Sequence, residues 1–341
     1  MRIYLTETKS PYSVESLSTR IKETYLSSEN QQFIITDEIA DADLIIFWEN
    51  YEEGEQTRNQ KLREQALLIG EPEKLFVVSA EDRPSGFMPG IYTGTPLCPW
   101  RTNRFLTGGY FWTMNPHLEV GRINAWDPKY LFSFRGALTA PVRREIFRIH
   151  SSNGSCLIEE TENLKFTINV EDPLKAQGQR EYRDTILDSK FVLCPRGGGD
   201  SSYRLFETMQ LGRVPIILSD RWIPPLGPAW GDFSIRIAEK RVPELDIILR
   251  TFEDRAKEMG LMARKAWEEW FRPEILPLRT FQWIHHLALA RTHRESSIRK
   301  YWPLLDWMVR KPSPLPVQAY SKVARVLKAK GSSLSLLIPE I

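Results

Sequence analysis

The stretch that decides the fold runs from Lys190 to Leu218, KFVLCPRGGGDSSYRLFETMQLGRVPIIL. Lys190 to Cys194 is a short apolar run of the kind a parallel sheet buries on both faces, and Val214 to Leu218 is another. Between them, Pro195 to Ser202 reads as a glycine-rich loop and Tyr203 to Leu211 as a helix closed by Gly212. Strand, loop, helix and strand in that order make a parallel α/β unit, with the loop at the carboxyl end of its first strand.

Outward from this unit the same alternation recurs. Upstream, Leu131 to Phe134 reads as a strand, Pro141 to His150 as a helix opened by proline, Cys156 to Ile158 as a short strand and Arg180 to Leu187 as a helix. In the first third, Ile3 to Leu5, Leu44 to Trp48 and Leu75 to Ser79 are strands. Val14, Leu17, Ile21 and Tyr25 recur at helical spacing, and Arg58 to Ile69 is a crossover helix. From Ala80 to about Tyr130 the pattern gives way to Pro, Gly, Thr and aromatic residues, read as long loops, which are usually functional at that length. Phe252 to Phe271 and Leu276 to Arg294 are helical, and the tail from Pro312 is weakly patterned. The fold class expected is α/β, with two Rossmann-like domains of parallel sheet facing across a cleft. The boundaries expected are 1–129 for the first domain, 130–295 for the second, and 296–341 for a carboxy-terminal helix and tail packing back on the domains.

The chain has 341 residues, about two domains' worth at roughly 100 to 200 residues each. Its 42% apolar and 26% charged residues fit a globular protein rather than a disordered or collagen-like one. The formal charge of +2 lacks the basic excess of a protein that coats nucleic acid, so nucleic acid is excluded as a partner and any anion site is local. Cys98, Cys156 and Cys194 show no paired spacing, which suggests neither a disulfide framework nor a thiolate metal site. The residues from Met1 to Tyr12 lack the hydrophobic region of a signal peptide. Leu44 to Trp48, the longest apolar run, is far short of the ~20 residues that span a bilayer. A cytoplasmic location without a transmembrane segment is expected.

The loop Arg196, Gly197 to Gly199, Asp200, Ser201 and Ser202 leads from a buried strand to a helix amino terminus, where backbone N–H groups and the helix dipole attract phosphate. It matches neither the Walker A nor the dinucleotide spacing, and a glycine-rich turn can be merely a turn. Arg204 adds to the signal, because a cation in the first helical turn opposes the dipole unless an anion sits between them. Glu207, three residues on, shares that face. The pair is either a surface salt bridge or a division of labour, with Arg204 on a diphosphate and Glu207 accepting bonds from ribose hydroxyls.

This stretch resembles the exostosin family, glycosyltransferase family 47. The segment FSFRG at 132–136, followed by Arg143, resembles the start of that family's nucleotide-binding half, and Pro224, Pro225, Trp230 to Ser234 and Ile237 to Leu249 follow its downstream pattern. The likeness covers about residues 130 to 252, with a looser match from Asp82 to Tyr92. It implies a GT-B fold and inverting transfer of a sugar from a nucleotide sugar, most simply a UDP-sugar, to a hydroxyl of a glycan or lipid-linked saccharide, with no cofactor and no essential metal. It places Arg204 and Glu207 at the family's R-x-x-E positions that hold the nucleotide and Arg143 near the diphosphate, with Arg135 as a further cation. Gly198 and Gly199 stand where animal exostosins carry basic residues, so their substrate and location do not transfer. A cytoplasmic, bacterial-type member is expected.

The acceptor needs a general base from the amino-terminal half. Asp82, beyond the strand Leu75 to Ser79, is the first choice and Glu49, just past Leu44 to Trp48, the second; either is equally an ordinary solvated carboxylate. Asp41 and Asp43 spell the D-x-D of metal-dependent transferases but precede a strand instead of following one, so they read as a polar lead-in. His285, His286 and His293 lack partner ligands at metal spacing and read as surface or core histidines. Arg299 to Trp302 and Trp307 to Lys311 mix aromatic and basic residues, either as a peripheral membrane contact or, as favoured, as packing of a closing helix. Rival readings are a GT-B transferase of another family, resembling bacterial fucosyltransferases, and a non-catalytic nucleotide- or glycan-binding protein on the same fold.

Overall fold

The computed structural model describes residues 1–7, 17–49, 55–79, 88–94, 104–111, 115–118, 126–149, 154–161, 173–291 and 294–302. In chain order, the first run of elements is β1 (Arg2–Glu7), α1 (Leu17–Leu26), β2 (Ile34–Thr36), β3 (Leu44–Trp48), α2 (Glu55–Ile69), β4 (Leu75–Ser79), β5 (Gly90–Tyr92) and β6 (Phe105–Thr107). The second begins with β7 (Tyr130–Gly136), α3 (Pro141–Phe147), β8 (Cys156–Glu160), α4 (Pro173–Leu187), β9 (Ser189–Pro195), α5 (Tyr203–Gln210) and β10 (Val214–Leu218). It continues through α6 (Trp230–Phe233), β11 (Ile235–Arg236), α7 (Leu245–Arg250) and α8 (Ala256–Trp270). The last helices among the described residues are α9 (Leu276–Ala290) and α10 (Glu295–Ile298).

The strands form two parallel sheets, one of six strands in the order β2-β1-β3-β4-β5-β6 and one of five in the order β11-β10-β9-β7-β8. The α/β class expected from the alternating pattern is therefore present, with one parallel sheet in each of two compact units. β3, β4 and β10 are buried at every residue, as interior strands covered on both faces must be.

The compact units divide the chain differently from the boundaries expected at 129 and 295. The first comprises 1–108, 223–226 and the chain from Glu274 on; the second comprises 109–222 and 227–273. Helix α9 explains the second shift. Its Phe281 meets the rings of Tyr25 and Phe33 at 5.0 and 6.0 Å, and it packs on β5 and β6, all in the first unit. Ile298 and Trp302 then join the core built on Ile45, Phe47, Val77 and Phe105. A buried ion pair between Arg104 and Glu295 fastens α10 to the start of β6. The first shift follows from Asn115, whose Nδ2 donates to the Gln179 carbonyl at 2.9 Å, and from Trp126, which lies under the Arg213 guanidinium at 4.8 Å; these hold 109–129 to the second unit.

The long loops expected between Ala80 and Tyr130 contain two strands of the first sheet, β5 and β6. Three residues are too few to show periodicity, and β5 opens with a glycine. That glycine is required there, because a Cβ at Gly90 would stand 2.0 Å from the Val77 carbonyl oxygen.

Candidate functional site

The site forms at the carboxyl edge of the second sheet. From β7 the chain goes to β8 on one side and then to β9 on the other, so the strand order reverses between β7 and β9. Ligands of open α/β sheets bind in the crevice outside the strand ends at such a point. The glycine-rich loop leaves β9 there and enters α5, which ends at Gly212 with φ +66°, a conformation that glycine adopts without strain.

Arg204, in the first turn of α5, is 7% exposed. Its guanidinium carbon lies 4.6 Å from the Phe134 ring centroid and 5.4 Å from that of Tyr182, and Nη2 donates to the Arg135 carbonyl at 2.5 Å. Glu207, 9% exposed, accepts a hydrogen bond from the Tyr182 hydroxyl at 2.5 Å. No ion pair joins Arg204 to Glu207 or to any other described carboxylate, so the bland reading of the pair as a salt bridge does not hold. Burial raises the Glu207 carboxyl above its ordinary range, while the Tyr182 bond and the Arg204 charge pull it back down. Burial and the neighbouring carboxylate push the Tyr182 phenol well above its usual value, so it remains a neutral donor.

The other arginines are placed differently from one another. Arg143, on α3, donates from Nη1 to the Ala137 carbonyl at 2.9 Å, from Nε to that of Arg196 at 3.0 Å and from Nη2 to that of Pro195 at 3.4 Å. It thus ties the end of β7 to the end of β9 across the switch point, and its guanidinium lies 5.6 Å from the same Phe134 ring. Two guanidinium groups share one aromatic ring, an arrangement that favours a bound anion. Arg135 contributes its carbonyl; its side chain is committed to Glu159 and Glu181, and it holds Glu181 below the ordinary carboxylate range. The Arg196 side chain bonds Glu239 at 2.8 Å.

At the helix entrance, Ser202 has the extended backbone of a cap residue (φ −149°, ψ 130°), yet its side chain makes no cap hydrogen bond. The Ser201 hydroxyl is buried and finds no hydrogen-bond partner among the described residues. Gly197 leaves ordinary van der Waals room beside Arg143, whose Nη2 would stand 3.4 Å from a Cβ there. An uncapped helix amino terminus and a buried hydroxyl thus lie at the end of the loop, with Arg204 in the first turn of the helix that it enters, groups of the kind that bind an anion at a helix end.

The fold brings together Arg143, Arg196, Gly197, Ser201, Ser202, Arg204 and Glu207, with Arg135 present through its carbonyl. Glu49 lies elsewhere, buried just past the end of β3 in the first unit, where its N–H donates to the Val78 carbonyl at 3.0 Å. Asp82, His293 and Trp307 to Lys311 lie outside the described residues. Asp41 and Asp43 sit at the amino end of β3, Asp41 paired with Arg2 at 3.4 Å and Asp43 accepting the Arg2 N–H at 2.7 Å, as a polar lead-in would. His285 packs its ring against Phe33 at 6.1 Å. Sequence reasoning missed Phe134 and Tyr182. Each sits on a hydrophobic periodicity that reads as core, and the only hint was an aromatic hydroxyl on a buried helix face.

Residues 113–252 match the exostosin GT47 domain. Among curated proteins, the exostosin-1 homolog of Caenorhabditis elegans is 28% identical over 159 residues, 42% of this chain and 41% of that protein. Exostosin-1 of Drosophila melanogaster is 26% identical over 158 residues, 42% of this chain and 21% of that protein. A probable glucuronosyltransferase of Oryza sativa is 31% identical over 159 residues, 45% of this chain and 36% of that protein. The chain spans less than half the length of these relatives. Among solved structures, WaaG, a glycosyltransferase involved in lipopolysaccharide biosynthesis, is 8% identical with a TM-score of 0.38, covering 86% of this chain and all of that one.

Proposed function

We propose that the protein is a glycosyltransferase of the GT-B class. Its second unit holds a nucleotide-sugar donor and its first unit a glycan or lipid-linked saccharide acceptor. The observation that carries this reading is Arg204, a guanidinium set against the strand end of β7 in the first turn of α5 with no described carboxylate to neutralise it. The exostosin GT47 match over the same residues supports it.

In this reading the diphosphate rests on the loop N–H groups and the α5 terminus, with Arg204 neutralising charge as the glycosidic bond breaks. Arg143 keeps the β7 and β9 ends at the spacing that forms the crevice. Glu207 accepts hydrogen bonds from the ribose. The acceptor oxygen attacks the anomeric carbon from the face opposite the leaving nucleoside diphosphate, so configuration inverts, and its proton passes to a general base, for which Glu49 and Asp82 are the candidates. Cationic side chains and a helix end supply the charge stabilisation, so no metal is invoked, and UDP is the leaving group we favour. Calorimetric titration with UDP and a turnover screen over nucleotide sugars, with and without EDTA, test the reading. Binding of UDP with sugar-dependent release of UDP is expected. A folded protein that binds no nucleoside diphosphate would overturn it.

A further inference from the structure

The Arg204 guanidinium and the Glu207 carboxylate come from one helix face, yet they do not bond each other; both meet Tyr182 of α4. We propose that Tyr182 is the positioning residue of the nucleotide site, its hydroxyl fixing the carboxylate while its ring braces the guanidinium, so that one side chain sets the spacing between the two groups. Tyr182 is 6% exposed and lies one helical turn before the core residue Ile186, which anchors α4 against the sheet. The brace is thus rigid.

The inference rests on the nucleotide-binding reading but has a consequence that does not. The groups facing Glu207 are the Tyr182 hydroxyl from α4, Arg204 from its own helix and the Cys194 thiol from β9, which burial keeps neutral. Of these only Tyr182 donates a hydrogen bond to the carboxylate. Replacing Tyr182 by phenylalanine keeps the ring under Arg204 and removes the donor. The carboxylate then loses its bond, and its ionisation moves to higher pH.

The test compares wild type with Tyr182→Phe, Tyr182→Leu and Glu207→Gln in two measurements. Urea midpoints followed against pH should show the ionisation of Glu207 moved to higher pH in Tyr182→Phe and absent in Glu207→Gln. At the pH where wild type binds best, UDP affinity should fall roughly tenfold in Tyr182→Phe and recover as pH rises, since a bond to a charged group is lost. It should fall further in Tyr182→Leu, which removes the brace as well, and become insensitive to pH in Glu207→Gln. A purely structural tyrosine would leave the profile of Tyr182→Phe superimposable on wild type, and that result overturns the inference. If the urea profile shifts as expected while wild type binds no UDP, the coupling of Tyr182 to Glu207 stands and the nucleotide-binding reading falls.

Discussion

Arg204 lies against the carboxyl end of β7 beside a glycine: a Cβ at Gly136 would stand 2.8 Å from Arg204 Nη2, so the guanidinium would have to shift to admit it. The guanidinium is seated by an absence of side chain on the facing strand. Gly136→Ala should therefore shift Arg204 and weaken UDP binding by less than Arg204→Ala does, while leaving the far-ultraviolet circular dichroism unchanged. Wild-type affinity in Gly136→Ala would show that the guanidinium can move without loss.

Arg204 and Arg143 should separate by phenotype. If the proposed site is right, Arg204→Ala removes a charged partner of the diphosphate and should weaken nucleotide binding by ~1.5 to 3 kcal/mol, with a smaller fall in melting temperature than Arg143→Ala because it strands one backbone carbonyl instead of three. Arg143→Ala strands three backbone carbonyls at the strand ends and should lower the melting temperature as well as the affinity. Calorimetry and thermal melts on both variants decide the matter.

Because burial raises the Glu207 carboxyl, the native state holds a proton that the unfolded chain has already released. Stability attributable to this group should fall as pH rises from the ordinary carboxylate range through the raised native value. Glu207→Gln should flatten that part of the stability–pH curve, because the amide oxygen still accepts the Tyr182 bond and no charge is buried. Urea midpoints followed from the ordinary carboxylate range upward would show it.

Burial pushes the Cys194 thiol up to about 12, whereas Cys156 is half-buried. Cys194 should resist a disulfide reagent in the native protein at neutral pH and react only on unfolding, while Cys156 should react faster. Peptide mapping after brief labelling distinguishes the two.

Residue by residue, the sequence was most legible where one rule acts alone. Leu44 to Trp48, Leu75 to Ser79 and Val214 to Leu218 form strands with the bounds their apolar runs indicate, since a strand covered on both faces has no polar alternation to blur its ends. The loop and its helix were legible for a similar reason, because glycine and Gly212 punctuate the backbone directly. Illegible were β5 and β6, too short for periodicity, and the partner of α9, because a periodic face announces that it is buried but not against what. Tyr182 escaped because a buried tyrosine in a helix has the same spacing as a core residue; only the Glu207 carboxylate opposite it, brought there by the fold, gives its hydroxyl a purpose.

The first unit is assembled from both ends of the chain. Its described strands all precede Gly108, but α9, whose Phe281 packs on Tyr25 and Phe33, begins at Leu276, after the whole second unit has been made. During synthesis the second sheet can close while the first still exposes the apolar surface that α9 will cover, so the part of the protein translated earliest is the last to finish folding. Truncations that stop near Pro273 should consequently yield a soluble second unit beside an aggregation-prone first one, and the candidate site of the second unit should mature before the first unit does.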